Sequence, residues 1–482
     1  MADSPTFDVI VIGAGPVGEN VADRAVQGGL TAAIVESELV GGECSYWACM
    51  PTKALLRDAA ALRAARSLPG ASAAVSGELD VAAVLARRDA FASHWRDDGQ
   101  VDWLSSAGIA LFRGVGRIRA PRAVEVVGAE GEVTVLEARH AVVVATGSRA
   151  AIPQIPGAAD ADPWTSREAA AAQSVPGRLA IVGGGVVAAE MATAFADLGS
   201  RVTLIARSGL LPAVEPFARD LLAETLERKG VDLRLSTSPE SVRRGADGTV
   251  RIALGSGGTV DADEFLVATG RAPRTDDIGL ENVGLEAGAW LDVDESLRVV
   301  DRAGAVIDDG WLYAVGDVNH RALLTHQGKY QARAAGDAIV ARARGASVDD
   351  AAWGAHAATA DHRAMPQVIF ADPEIASVGH TAASAADAGI RARSVEYDLA
   401  SVAGSSLHAD GYEGRAGMVV DEDRKVLVGF TIVGADVAEL LHAATIAIAG
   451  EVSIDRLWHA TAPYPTMSEV WLRLLEAYGR PG

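Results

Sequence analysis

Cysteine is almost missing from this chain: of 482 residues, two are cysteine, Cys44 and Cys49. That scarcity excludes a disulfide-stapled secreted scaffold and confines any sulfur chemistry to residues 39–53, LVGGECSYWACMPTK. Lysine is also rare, at four positions, so arginine supplies most of the 43 basic side chains set against 64 acidic ones. The net charge of −21 repels nucleic acid and anionic lipid surfaces, so neither is expected as a partner and small molecules are. The lysine-poor, alanine-rich usage reads as coding bias and carries no mechanism. Long apolar runs are lacking too, and none approaches the length of a membrane span. A first strand expected from Phe7 leaves no room for a signal peptide, and with so few cysteines the expected compartment is the cytoplasm. An apolar fraction of 49% is ample for large cores, and the length predicts two to four domains.

The two cysteines have four residues between them and stand just ahead of Pro51 and Lys53. A regular helix rises about 7.5 Å over five residues, whereas disulfide Cα atoms lie roughly 4.4 to 6.8 Å apart, so bridging this pair requires irregular backbone. Proline is favoured at the first helical position, which predicts a helix from Pro51 through KALLRDAAALRAA with Cys49 at its positive end, where a thiolate is stabilised. The pair reads as a redox disulfide. Two small buried hydrophobes or a structural clip is the alternative.

FDVIVIGAGPVGENVADRAVQGGLTAAIVESE reads as buried strand, glycine turn, helix and second strand, with Gly13, Gly15 and Gly18 in the turn and Glu36 at the end. The glycines permit a tight turn and close approach of a pyrophosphate to the helix N-terminus, and Glu36 is spaced to bind ribose hydroxyls. An ordinary βαβ unit is the competing reading. The pattern recurs at RLAIVGGGVVAAEMATAFADLGSRVTLIARSG, with Gly183, Gly185 and Ala189, so a second nucleotide domain is expected from near residue 160. Its second strand ends in Ala206 and Arg207 instead of an acid. A cation where a carboxylate would repel a 2′-phosphate favours NADPH over NADH, unless Arg207 is a solvated surface charge. AVVVATGSRA and EFLVATGRAP follow the two fingerprints as related crossovers. WLYAVGDVN puts Gly316 and Asp317 at the end of another apolar strand, where the carboxylate either accepts from a cofactor hydroxyl or caps the turn. Beyond an alanine-rich stretch, strands such as MPQVIF, GMVVD and VLVGFTIVG alternate with helices around AELLHAATIAIA and SEVWLRLLEAY, as in a separate α+β domain.

Taken together, GAGPVG, GGECSYWACMPTK, ATGS, GGGVVAAE, ATGR, YAVGD and the block from PQVIFADPEIASVG to APYPTMSE resemble, in order and over nearly the whole chain, the class I pyridine nucleotide-disulfide oxidoreductases, the family of glutathione reductase, dihydrolipoamide dehydrogenase and mercuric reductase. Several motifs are most similar to mercuric reductase. The resemblance implies an α/β fold of two Rossmann-like dinucleotide-binding domains plus a C-terminal α+β dimerisation domain. Residues 1–158 and 284–355 would form the FAD-binding part, 159–283 the NAD(P)H domain and 356–482 the dimerisation domain. It implies FAD across Gly13, Gly15, Gly18, Glu36 and Gly42, with Gly116, Thr146, Gly147, Asp317 and the segment Leu323, Leu324, Thr325 and His326. NADPH would use Gly183, Gly185, Val186, Glu190, Arg207 and Gly270. Lys53 would pair with Glu190 close to the flavin, as a tuning pair or a plain structural one. Cys49 would be the sulfur next to the flavin and Cys44 the one that exchanges with substrate, and a homodimer would complete each active site.

The chain departs from that pattern at its end. Where the commonest members have a catalytic histidine before Pro-Thr, Tyr464 precedes Pro465 and Thr466, with Glu469 at the expected place of the histidine's partner. A phenol is a poor base at neutral pH, although it can donate a proton to a developing anion. Mercuric reductase is similar in having a tyrosine here, but it also relies on a C-terminal cysteine pair that this chain lacks. His459 is nearby in sequence yet outside the matching position. Tyr46 and Trp47, in the redox loop, either line a substrate pocket or pack the turn.

The leading expectation is a homodimeric enzyme, an FAD-containing NADPH oxidoreductase that delivers electrons through Cys44 and Cys49 to a small acceptor, by default a disulfide, with no metal site. Reduction of a quinone, soft metal ion or other electrophile is the alternative within enzymes. A flavin-bearing redox sensor of weak catalysis is the alternative outside them.

Overall fold

The computed structural model describes residues 4–480, and among these the chain forms two compact units. The first gathers residues up to Pro51 with Asp89–Ala150 and Arg271–His362. Its centre is a seven-stranded sheet in which Thr6–Ile12 lies parallel to both Ala32–Glu36 and Val133–Val144. Val133–Val144 does two jobs along its length. Its first half pairs antiparallel with Ala123–Val127, and its second half is held between Thr6–Ile12 and the parallel strand Leu312–Ala314. Ile12, Val144 and Ala314 are thereby in register, so the segments after them emerge side by side at the carboxyl ends of three adjacent parallel strands, where open α/β sheets bind ligands.

These strands read as continuous apolar runs because both faces are covered. Val9, Val11 and Val143 pack on one side and Ile10, Ile12, Val142 and Val144 on the other. On the first side the helices Pro16–Gln27 and Thr325–Ala343 cross closely. A Cβ on Gly328 would fall 2.5 Å from Val17, and one on Gly28 would fall 2.3 Å from Val340, so glycine sets this approach.

The second unit gathers Thr52–Arg88, Ala151–Gly270 and the chain from Arg363 onward. It contains a parallel sheet ordered Asp232–Leu235, Arg201–Ala206, Arg178–Val182 and Glu264–Val267, the second nucleotide-binding framework. It also contains an antiparallel five-stranded sheet running Pro366–Ile369, Glu374–Gly379, Val426–Gly434, Arg415–Asp421 and Ala392–Asp398. Arg63, Asp197, Lys229 and Asp372 form a cluster of two cations and two anions within this unit, with contacts from 2.5 to 2.9 Å.

The expected α/β fold with its α+β tail is the one observed. One boundary differs: the redox helix spans Cys49–Arg66 and begins two residues before Pro51. The first four N–H groups of a helix have no intrahelical acceptor, so proline is tolerated anywhere in that turn. No helix among the described residues is long and apolar enough to cross a membrane.

Candidate active site

In the first unit, the turn after Thr6–Ile12 is built by exclusion. Gly13 has φ +104°, and a Cβ there would lie 2.4 Å from the Ala145 carbonyl oxygen; one on Gly18 would lie 2.0 Å from that of Gly13. A Cβ on Gly15 would meet nothing closer than Gly42 at 4.0 Å, and this open space before the Pro16–Gln27 helix is where a pyrophosphate fits. Gly42 closes the other wall, since its own Cβ would be 2.7 Å from Gly15 Cα. Glu36 accepts the Ala14 and Glu38 N–H groups, each at 2.7 Å, which fixes the carboxylate beside the turn. Burial holds that carboxyl above its usual range, against the pull of the two N–H groups.

After Val133–Val144 come Thr146, whose buried hydroxyl has no partner, and Gly147 at φ +70°. An orphaned buried hydroxyl and an open glycine on neighbouring strand ends are what a dinucleotide would satisfy and fill, so these residues fit FAD. Asp317 follows Leu312–Ala314 and accepts from the Ser148 hydroxyl, which in turn accepts from Arg271 Nε at 2.6 Å. Burial raises the Asp317 carboxyl, opposed by Ser148 and Arg271. Arg271 and Arg274 also flank Glu43, at 3.8 and 3.7 Å, immediately ahead of Cys44. Sequence reading missed Arg271, Arg274, Ser148 and Glu43, although Arg271 directly follows the expected Gly270 and Glu43 stands inside the redox motif. Gly116 turns inward in Val115–Ala120, where a Cβ would meet Val35 and Ile12 at 3.0 and 3.2 Å, so it packs beneath the cradle.

Cys44 belongs to a short helical turn, Gly42–Tyr46, and the backbone breaks at Trp47, φ −136°, before Cys49 opens the next helix. The irregular link required by the sequence is therefore present. Both cysteines are half-buried. Cys49 Sγ lies 3.4 Å from the hydroxyl of Thr325, the first residue of the Thr325–Ala343 helix, so the sulfur has a helix N-terminus and a hydroxyl to favour its thiolate. Leu324 is the cap of that helix, while Leu323 and His326 are exposed. Tyr46 packs the turn: it is buried, and its hydroxyl donates to the Val40 carbonyl at 2.9 Å. Trp47 meets it edge-on at 5.7 Å.

In the second unit, Lys53 Nζ donates to Glu190 Oε2 at 2.7 Å, and the other oxygen of Glu190 accepts the Phe370 N–H at 3.0 Å. The fingerprint geometry repeats. Gly183, φ +134°, has the Ala268 carbonyl 2.2 Å from where a Cβ would fall, whereas Gly185 and Gly270 face open space. Val186 starts the helix Val186–Asp197, and Arg207 is exposed just past Arg201–Ala206. Tyr464 is 76% exposed. Glu469 is engaged elsewhere, accepting from Arg473 with one oxygen, while the other is buried without a partner. His459 is exposed.

Residues 7–338 match the family model described as pyridine nucleotide-disulphide oxidoreductase, and residues 365–474 match that family's dimerisation domain. A mercuric reductase from Acidithiobacillus ferrooxidans is 32% identical over 97% of this chain and 82% of its own. A dihydrolipoyl dehydrogenase from Haloferax volcanii is 32% identical over 97% of this chain and 95% of its own. Among solved structures, the Cu(II) complex of the HOCl-induced flavoprotein disulfide reductase RclA from Escherichia coli superposes with a TM-score of 0.82 at 22% identity, covering 98% of this chain and 99% of that one. LpdA from Mycobacterium tuberculosis superposes with a TM-score of 0.81 at 23% identity, covering 99% and 100%.

Proposed function

The chain belongs to the pyridine nucleotide-disulphide oxidoreductases, enzymes that work with FAD and a nicotinamide dinucleotide, and from that premise we propose that it is an NADPH-dependent reductase acting through Cys44 and Cys49 on a small acceptor, by default a disulfide. When bound, FAD supplies a two-electron carrier between nicotinamide and dithiol. The observation that carries the reading is Cys49 Sγ beside the Thr325 hydroxyl at a helix N-terminus, with Cys44 in the preceding turn. In the reduced protein the Cys44 thiolate attacks one sulfur of the acceptor, breaking its S–S bond and releasing one thiolate. The Cys49 thiolate then attacks Cys44, which closes the Cys44–Cys49 disulfide and releases the second thiolate. Each leaving sulfur takes up one proton, and Tyr464 of a second copy of the chain is the donor in this reading, with the matched dimerisation domain supporting a homodimer.

Arg207 after Ala206 supports NADPH, because a guanidinium binds a 2′-phosphate and no carboxylate is present to hold a bare ribose. The cytoplasm suits a chain whose two cysteines both serve the redox loop.

Reduction of a quinone or soft metal ion is the second reading. It is favoured by Glu469, which is turned to Arg473 rather than held for a catalytic base. An anaerobic acceptor screen of disulfides, quinones and soft metal ions, run on the holoenzyme and on the double variant Cys44→Ser/Cys49→Ser, separates the two. Turnover of a disulfide that the double variant loses supports the first reading. Turnover confined to quinones and kept by the double variant replaces it with direct transfer.

A further inference from the structure

Between the two stretches matched by the family models, residues 7–338 and 365–474, lies a segment that places one carboxylate at the centre of a buried polar network in the first unit. Asp361 is 5% exposed and accepts from Gln327 Nε2 at 2.9 Å with one oxygen and from Gln331 Nε2 at 2.8 Å with the other. The segment is docked by Tyr330, whose hydroxyl donates to the Ala357 carbonyl at 3.0 Å, and by the Ala358 N–H, which donates to the Glu295 backbone carbonyl at 3.0 Å.

Gln331, fully buried, is the connector. Its Oε1 accepts the Gly316 N–H at 2.7 Å and the Asn319 amide at 2.9 Å. Reversing this amide would bring its NH2 group against two other donors and its carbonyl against a carboxylate. Asp361, as a carboxylate that accepts from both glutamines, and the Gly316 N–H, which only donates, together fix which way Gln331 points. Gly316 stands at φ +78° and leads directly into Asp317. Gln327 lies in the first turn of the Thr325–Ala343 helix, whose Thr325 hydroxyl is 3.4 Å from Cys49 Sγ. One carboxylate therefore touches both the Asp317 turn and the helix start beside the redox sulfur, each through one glutamine. A buried network in which every member is satisfied holds one geometry.

We propose that Asp361 is a positioning residue of the flavin cradle, setting the Gln331 amide and with it the Gly316–Asp317 turn, and setting through Gln327 the helix N-terminus beside Cys49. The proposal rests on the reading of that cradle as the FAD site. It does not depend on which acceptor the enzyme uses.

The test is a swap of polarity. Asp361→Asn offers one acceptor and one donor to two donating glutamines, so one of them must turn, and FAD release from the holoenzyme should accelerate about tenfold to hundredfold. Gln331→Glu alone opposes two carboxylates and should do the same or worse. The double variant Asp361→Asn/Gln331→Glu restores every partner: the new amide donates to the new carboxylate and accepts from Gln327, and the carboxylate accepts from Gly316 and Asn319. Its FAD release should return to within about threefold of the parent, a rescue that nonspecific damage does not give. Release is followed by the rise of free-flavin fluorescence on dilution, with thermal midpoints measured alongside. Single variants that lower the midpoint and release FAD at the parent rate, or a double variant no better than the worse single one, overturn the positioning role. A parent protein purified with no flavin, and unable to take it up, overturns the FAD reading and this proposal together.

Discussion

Lys53 and Glu190, 137 residues apart in sequence, meet at 2.7 Å, and the pair is anchored from outside. Glu190 accepts the Phe370 N–H with its second oxygen, and the Lys53 ammonium lies 5.0 Å from the centre of the Phe370 ring. The glutamate side chain is 5% exposed and the lysine 34%, so the carboxylate is the fixed member and the cation is the one placed by it. Lys53 is also one turn along the helix from Cys49, on the same face.

Glu190→Gln keeps the acceptor for Phe370 and removes the charge that holds Lys53. Stability should fall by about 1–3 kcal/mol, read by urea unfolding, and reduction of the flavin by NADPH in stopped flow should slow. A loss of stability with no change in that rate would make the pair purely structural.

Thr325→Val removes the hydroxyl beside Cys49 Sγ and leaves the helix in place. The pH at which the Cys49 thiolate forms should rise by about one unit, seen in the titration of the long-wavelength absorption that a thiolate next to the flavin gives. That absorption should vanish in Cys49→Ser and persist in Cys44→Ser, and the reverse pattern would exchange the roles of the two sulfurs.

Arg207→Glu replaces an exposed guanidinium by a carboxylate just past Ala206. On the proposed binding of the 2′-phosphate by Arg207, KM for NADPH should rise about tenfold or more while that for NADH changes little or falls. Equal kinetics with both nucleotides in the parent enzyme would remove the preference argued from Arg207.

Tyr464→Phe should leave flavin reduction by NADPH nearly intact and slow transfer from dithiol to acceptor by about 10² to 10⁴ if proton donation limits that step. Tyr464→His should increase simple disulfide reduction. Turnover at the parent rate in Tyr464→Phe would leave the tyrosine no part in the proton transfer.

Glu19, in the first turn of the Pro16–Gln27 helix, is buried with one oxygen unpartnered, and burial raises its carboxyl from 4.5 to about 7. Because the folded state holds this proton more tightly, its stability contribution is complete below 4.5 and is lost as pH rises through about 7. Glu19→Gln abolishes that loss. The variant should gain on the parent by up to about 3 kcal/mol between pH 5 and pH 8 in urea unfolding, and a gap independent of pH would show that Glu19 is not titrating there.

Much of this was legible in the chain because it is local. The glycines of GAGPVG and GGGVVAAE, the apolar strands before them and the spacing from Cys44 to Lys53 are short-range patterns whose geometry follows from backbone sterics and helix periodicity. They were enough to specify two nucleotide folds and, with the order of the later motifs, the family. The choice between pocket and packing for Tyr46 was not among them. Its hydroxyl needed the Val40 carbonyl in place before it could be assigned.

The pairings that turn those motifs into a site came only from tertiary structure. Nothing in the sequence sets Ser148 between Arg271 and Asp317 or Gln331 between Gly316 and Asp361, whereas Glu469 against Arg473 is a local i,i+4 pair. The first two pairings depend on the register of Thr6–Ile12, Val133–Val144 and Leu312–Ala314, which brings distant strand ends to one edge. Local preference is written residue by residue. Which buried polar group finds which partner is decided only when the strands are aligned and water has been excluded, because only then does an unmatched donor or acceptor cost enough to select one arrangement.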